Sequence, residues 1–134
     1  MDFTFHHICI ETDRYKESVD FYCGILDFEI IKETSNFHGR DFNAWLKKEK
    51  IYIELQTPKK QELIKYEEEK ITLGIVHVCF LVEDLEWSMN RIAELGYTRF
   101  KQKDGKNIYS VEETKLCKII APEGTIIEFR EEEI

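Results

Sequence analysis

Phe5-His6-His7-Ile8-Cys9-Ile10 is met again 70 residues later as Ile75-Val76-His77-Val78-Cys79-Phe80. Both are short runs with the period-two alternation of a half-buried strand, and both carry a histidine in third place. A second pair of runs repeats in the same way. Tyr52-Ile53-Glu54-Leu55 matches Ile126-Ile127-Glu128-Phe129, and the two glutamates stand 74 residues apart. The chain is written twice. Each copy opens on a strand carrying a histidine and closes on a strand carrying a glutamate.

The stretches between these strands also repeat. After a first strand at 5–12, Thr12 or Asp13 is expected to cap a helix over 13–24, where Tyr15, Ser18, Val19, Tyr22 and Leu26 recur at helical spacing. Residues 28–33 predict a second strand, 34–40 a polar loop, and 41–47 with 50–56 a hairpin turning near Lys48-Glu49-Lys50. A charged joint follows at 57–73, with a short helix expected around Glu62-Leu63-Ile64-Lys65-Tyr66. The second copy runs strand 75–82, a cap at Glu83-Asp84, and a helix marked by Leu85, Met89, Ile92 and Leu95 and ended by Gly96. It continues with a strand at 97–100, a loop at 102–107, strands near 108–112 and 115–120, a Pro122-Glu123-Gly124 turn, and a last strand at 125–130. Trp87 lies off the helical stripe and is expected to be exposed.

This order predicts an α+β fold of two βαβββ modules, about 5–56 and 74–134, within one domain of 134 residues. Two such modules can set their sheets side by side as a curved, half-open barrel around a cavity, with the helices outside. The register agrees, because side chains alternate faces along a strand. Ile8, Ile10, Ile53, Leu55, Val78, Phe80, Ile127 and Phe129 then face the helices, and His7, Glu54, His77 and Glu128 face the concave side. A one-residue slip would exchange the two sets.

Bulk properties narrow the function. A net charge of −8 argues against nucleic acid or an anionic membrane as partner. No apolar run reaches the ~18 residues of a membrane span, and Met1-Asp2-Phe3-Thr4 lacks the basic start of a signal peptide. The four cysteines, Cys9, Cys23, Cys79 and Cys117, form no Cys-x-x-Cys pair and read as free thiols of a reducing cytoplasm.

Two imidazoles and two carboxylates make a mixed nitrogen and oxygen donor set. It suits one divalent ion per site, Ni²⁺ or Zn²⁺ first, with Co²⁺, Mn²⁺ or Fe²⁺ also compatible. Such an ion can stabilise negative charge on a substrate oxygen, and a neighbouring carboxylate can move a proton α to a carbonyl through an enediolate. By parity His6 is expected on the opposite face from His7, so His7 is the expected ligand. His38 falls in a loop and is expected to be exposed or on a cavity rim. Asn43, Trp45 and Tyr52 are candidate wall residues. Arg130 either holds a substrate anion or stands as an exposed strand-end arginine.

These residues resemble the vicinal oxygen chelate superfamily, which contains glyoxalase I. The resemblance spans nearly the whole chain. It rests on His6-His7-Ile8-Cys9-Ile10, Ser18-Val19-Asp20-Phe21-Tyr22 with Ile25-Leu26-Asp27-Phe28, and Glu54-Leu55. It continues in His77-Val78-Cys79-Phe80, Val82-Glu83-Asp84-Leu85, and Ala121-Pro122-Glu123-Gly124 before Ile127-Glu128-Phe129. It implies His7, Glu54, His77 and Glu128 as a four-ligand metal set, with Glu128 as first candidate base for a hemithioacetal proton and Glu54 as second. A small-molecule substrate and a homodimer are implied too. Extradiol dioxygenases and fosfomycin-resistance enzymes lack the middle glutamate, so Glu54 points away from them. Methylmalonyl-CoA epimerases stay close, and a metal- or ligand-binding module without turnover is the reading from another class. Two positions depart from glyoxalase I. Glu11 stands where that family has an arginine for the glutathione carboxylate, and Pro58 stands where bacterial members have an asparagine.

Overall fold

The computed structural model describes residues 1–60 and 74–131. The chain divides into two compact units, Met1–Thr72 and Leu73–Ile134. The short helix expected around 62–66 lies outside the described residues.

In the first unit, strand β1 (Ile8–Glu11) leads to a helix that is α-helical over Tyr15–Val19 (α1) and π-helical over Asp20–Ile25. Strands β2 (Glu29–Phe37), β3 (Arg40–Lys48) and β4 (Ile51–Gln56) follow. They form one sheet in the order β1-β4-β3-β2, in which β1 and β4 are parallel and the other pairs antiparallel. A parallel pair cannot be joined by a tight turn, so the helix is part of the crossover that returns the chain to β1.

The second unit repeats this plan. Strand β5 (Val78–Leu81), helix α2 (Leu85–Glu94), β6 (Ile108–Val111), β7 (Thr114–Ile120) and β8 (Ile126–Arg130) give a sheet in the order β5-β8-β7-β6. Again the first and last strands run parallel. The fold is therefore α+β, built from two βαβββ modules. The cores follow the expected faces. Ile10, Ala44, Leu46, Ile53 and Leu55 are buried in the first unit, and Ile119, Ile127 and Phe129 in the second.

Several local expectations change. Neither Thr12 nor Asp13 is the helix cap: Arg14 occupies that place without a side-chain cap bond. Thr12 instead accepts from the Arg14 N–H and pairs with Ser18 Oγ at 2.8 Å, fully buried. At the end of the π-helical stretch the Leu26 N–H reaches back to the Phe21 carbonyl, and both Phe21 and Tyr22 are buried.

The polar loop expected at 34–40 is mostly strand. Phe37 pairs with Arg40 across a two-residue turn in which His38 and Gly39 have φ of 47° and 80°. That turn needs two left-handed residues, and Gly39 meets the need without strain. The strand expected at 97–100 reduces to a single bridge, Phe100 to Ile119. The Arg99 carbonyl and Lys101 N–H do bond to the β7 backbone, but no longer ladder forms.

Helix α2 matches its signals. Asp84 caps it by accepting from the Trp87 N–H at 2.8 Å. Leu85, Met89 and Ile92 are buried, Trp87 is exposed, and Leu95, the last of the stripe, is left partly exposed. Gly96, at φ 89°, ends the helix. Its N–H bonds to the Ala93 carbonyl and the Tyr97 N–H to that of Ile92, the paired bonds of a Schellman motif.

Asp84→Ala should therefore lower stability by about 1 kcal/mol, while Asp84→Asn, which keeps an acceptor, changes it by a few tenths. Urea unfolding followed by circular dichroism measures both; equal midpoints for wild type and Asp84→Ala would contradict the capping role.

Candidate metal centre

Each unit brings one expected histidine to one expected glutamate. In the first, β1 and β4 pair so that Cys9 stands opposite Glu54. His7, one residue ahead of β1, places Nε2 3.5 Å from Glu54 Oε2. The other carboxylate oxygen accepts from Asn43 Nδ2 at 2.7 Å, and Asn43 is buried on β3. Trp45, opposite Glu54 in the sheet, turns its ring edge-on to His7 with centroids 4.8 Å apart.

The second unit uses the same register. Cys79 stands opposite Glu128, and His77 Nε2 lies 3.6 Å from Glu128 Oε2. Both separations exceed a hydrogen bond between these atoms. Here, however, a cation replaces Trp45: Lys118, directly across from Glu128, puts Nζ 3.0 Å from the same oxygen. Burial works to raise the Glu128 pKa. The Lys118 hydrogen bond and the charges of His77 and Lys118 outweigh it and hold the carboxyl below its ordinary value. The Nδ1 of His77 and the Nε of Arg130 are buried without a hydrogen-bond partner among the described residues.

The remaining candidates fall into place around the pairs. Tyr52 stacks under His6, with centroids 6.0 Å apart and planes at 12°. His6 does not take the opposite face as its parity predicts. The ladder of β1 begins only at Ile8, so strict alternation does not govern residues 6 and 7, and His6 sits against His7, Trp45 and Tyr52. His38 is exposed at the tip of the β2–β3 hairpin. Glu11 is locked in an ion pair with Arg40 at 2.6 Å, and the same guanidinium nitrogen donates to the Thr57 carbonyl at 2.6 Å.

Sequence reasoning missed Lys118 and Arg40. Lys118 had a signal, a single cation inside the apolar run Leu116-Cys117-Lys118-Ile119-Ile120; Arg40 had none, because its partner lies 29 residues away.

Neither unit by itself gathers three His, Cys, Asp or Glu side chains into an ion-sized group among the described residues. The donor chemistry within each pair still fits a divalent ion. Each offers an imidazole nitrogen and a carboxylate oxygen turned toward each other but unbonded, with a cysteine opposite the carboxylate in the ladder. Burial, then Glu54, pushes the Cys9 thiol up to about 11; burial, then Glu128, raises Cys79 likewise.

A family model described as the Glyoxalase/Bleomycin resistance protein/Dioxygenase superfamily matches residues 6–111. Among solved structures the chain is similar to a glyoxalase family protein from Enterococcus faecalis, at 23% identity and TM-score 0.72 over 96% of this chain and 97% of that one. A lactoylglutathione lyase from Agrobacterium tumefaciens is 15% identical, with TM-score 0.67 over 96% and 92%. A Listeria monocytogenes fosfomycin resistance protein, complexed with Mn(II) and a dihydroxypropylphosphonic acid, is 13% identical, with TM-score 0.70 over 100% and 94%. No curated protein sequence matches the chain. Among the described residues no helix is long and apolar enough to cross a membrane.

The Lys118–Glu128 pair makes a pH-dependent prediction for metal-free protein. Because the folded pKa of Glu128 is depressed, the pair's contribution is complete above the unfolded value and is lost as pH falls through the folded one. Lys118→Met should cost about 2 kcal/mol at pH 7, and the gap to wild type should narrow steadily below pH 4. Urea midpoints across that range measure it; a pH-independent gap would mean that lost packing, not charge, is responsible.

Proposed function

The chain belongs to the glyoxalase/bleomycin resistance protein/dioxygenase superfamily, whose model covers residues 6–111, and on that basis we propose that it is a metal-dependent, glyoxalase I-like lyase or isomerase. Its substrate is a small oxygenated molecule, a hemithioacetal formed from a 2-oxoaldehyde and a thiol. The observation that carries the reading is the duplicated pair: His7 with Glu54 and His77 with Glu128, each set by the same parallel-strand register. These four residues are the proposed ligands of one divalent ion, Ni²⁺ or Zn²⁺ first.

When bound, the ion would supply Lewis-acid stabilisation of charge on substrate oxygens. The protein's own part is the proton. Glu128 is the proposed base, and Lys118 keeps it in the ionised form that a base requires. Lys118 and His77 both address Oε2, which holds the carboxylate in one orientation. Glu54 is the second proton carrier; Asn43 orients it through Oε1.

Glutathione fits less well than a smaller thiol. Glu11 occupies the position at which the resembling enzymes hold the glutathione carboxylate with an arginine, and Arg40 is committed to Glu11 and to the Thr57 carbonyl. The same proposal takes the protein as a cytoplasmic homodimer. Its four cysteines are free, as a reducing compartment leaves them.

The test is elemental analysis of wild type beside His7→Ala, His77→Ala and Glu128→Gln, with hemithioacetal isomerase activity assayed after Ni²⁺ or Zn²⁺ loading. Wild type should hold metal, both histidine variants should lose it, and Glu128→Gln should reduce kcat by about 10²- to 10⁴-fold. Metal binding without isomerase activity, but with solvent deuterium entering a coenzyme A thioester, would transfer the reading to an epimerase. No metal uptake under any loading would overturn the proposal and leave a ligand-binding module.

A further inference from the structure

The two histidine–glutamate pairs differ on the far side of the imidazole. His7 Nδ1 lies 2.8 Å from His6 Nδ1. In the second unit the matching residue is Val76, and His77 Nδ1 is buried with no hydrogen-bond partner among the described residues. His6, itself exposed, has aromatic neighbours. Its ring stacks on Tyr52, meets Trp45 edge-on at 6.3 Å between centroids, and Lys47 Nζ sits 5.6 Å from the centre of the Tyr52 ring.

A nitrogen-to-nitrogen bond of this length needs one proton between the rings and one bare lone pair. Glu54 does not decide which ring holds that proton, because its Oε2 is 3.5 Å from His7 Nε2, too far for a normal hydrogen bond. Its Oε1 is taken by Asn43. For His7 to present a bare Nε2 on the Glu54 side while neutral, its proton must sit on Nδ1. The acceptor waiting there is the lone pair of His6 Nδ1, and His6 then keeps its own proton on Nε2.

We propose that His6 is a positioning residue: it accepts the Nδ1 proton of His7, fixing the tautomer and ring orientation that present Nε2 for metal binding. This rests on the metal reading of the pair. A ligand histidine is ordinarily fixed through its other ring nitrogen by a carboxylate, a backbone carbonyl or water. In this chain a second imidazole does so in one module, and nothing among the described residues does so in the other.

Zn²⁺ affinity, measured by competition with a chromophoric chelator on protein first stripped of metal, tests this in His6→Val, His6→Gln and His7→Ala. Nitrogen-15 spectra of the Zn²⁺-loaded histidines provide a readout that does not depend on activity, and urea midpoints check that each variant is folded. His6→Val copies the second module and should weaken Zn²⁺ binding by about 10- to 100-fold, with faster solvent exchange of the His7 Nδ1 proton. His6→Gln, which restores an acceptor, should recover most of the affinity. If His6→Val binds as wild type does and the His7 proton is unchanged, the positioning role is overturned while the metal reading stands. If His7→Ala also binds as wild type does, the metal reading fails and this inference fails with it.

Discussion

The parallel pairing of the first and last strands of each module governs the rest of the molecule. Parallel neighbours need a crossover, and the crossover contains the helix. Pairing Ile8 with Ile53 and Val78 with Ile127 fixes the phase of both strands at once. The apolar residues of β4 and β8 enter the cores, and the glutamates between them are displayed beside a histidine. Shifting either pair by one residue would bury a carboxylate in the core and turn the isoleucines outward. The energy of the core is thus what holds the polar pair in register.

The two pairs share this geometry and differ in electrostatics. Glu54 is held by a neutral amide and flanked by an indole. Glu128 is more deeply buried and is neutralised by a lysine across the strand. A buried carboxylate without that lysine would favour its protonated form. In the first module Glu54 has no such lysine; it is partly exposed and accepts from Asn43. One fold plan therefore carries two differently charged versions of the same pair.

Much of this was legible in the sequence because it is carried by periodicity. The repeat, the βαβββ order, the faces of β4 and β8 and the Asp84 cap all follow from residue spacing and residue type. What escaped depended on atoms brought together from elsewhere. The hairpin at His38-Gly39 was hidden because polar residues 34–36 resemble a loop yet lie in β2, paired with β3 along a mostly exposed strand. The strand expected at Tyr97–Phe100 has the right composition but lacks a ladder partner beyond one bridge. His6 was assigned to the wrong face because alternation was extended past the last ladder bond. Lys118 was visible only as an anomaly, since its meaning depends on the β7–β8 register.

The π-helical turn at Asp20–Ile25 has a consequence for how this sequence can drift. A π turn holds one residue more than the α-helical turn it replaces, and Phe21 and Tyr22 are buried within it. Loss of a single codon in this segment would restore regular helix but turn the residues on one side of the deletion by about 100° relative to those on the other, and each buried aromatic exposed by that turn would cost about 2 kcal/mol. Helix α2 contains no such turn. The two halves of the duplication therefore tolerate insertions and deletions unequally, and length variation among descendants of this chain should avoid the first helix.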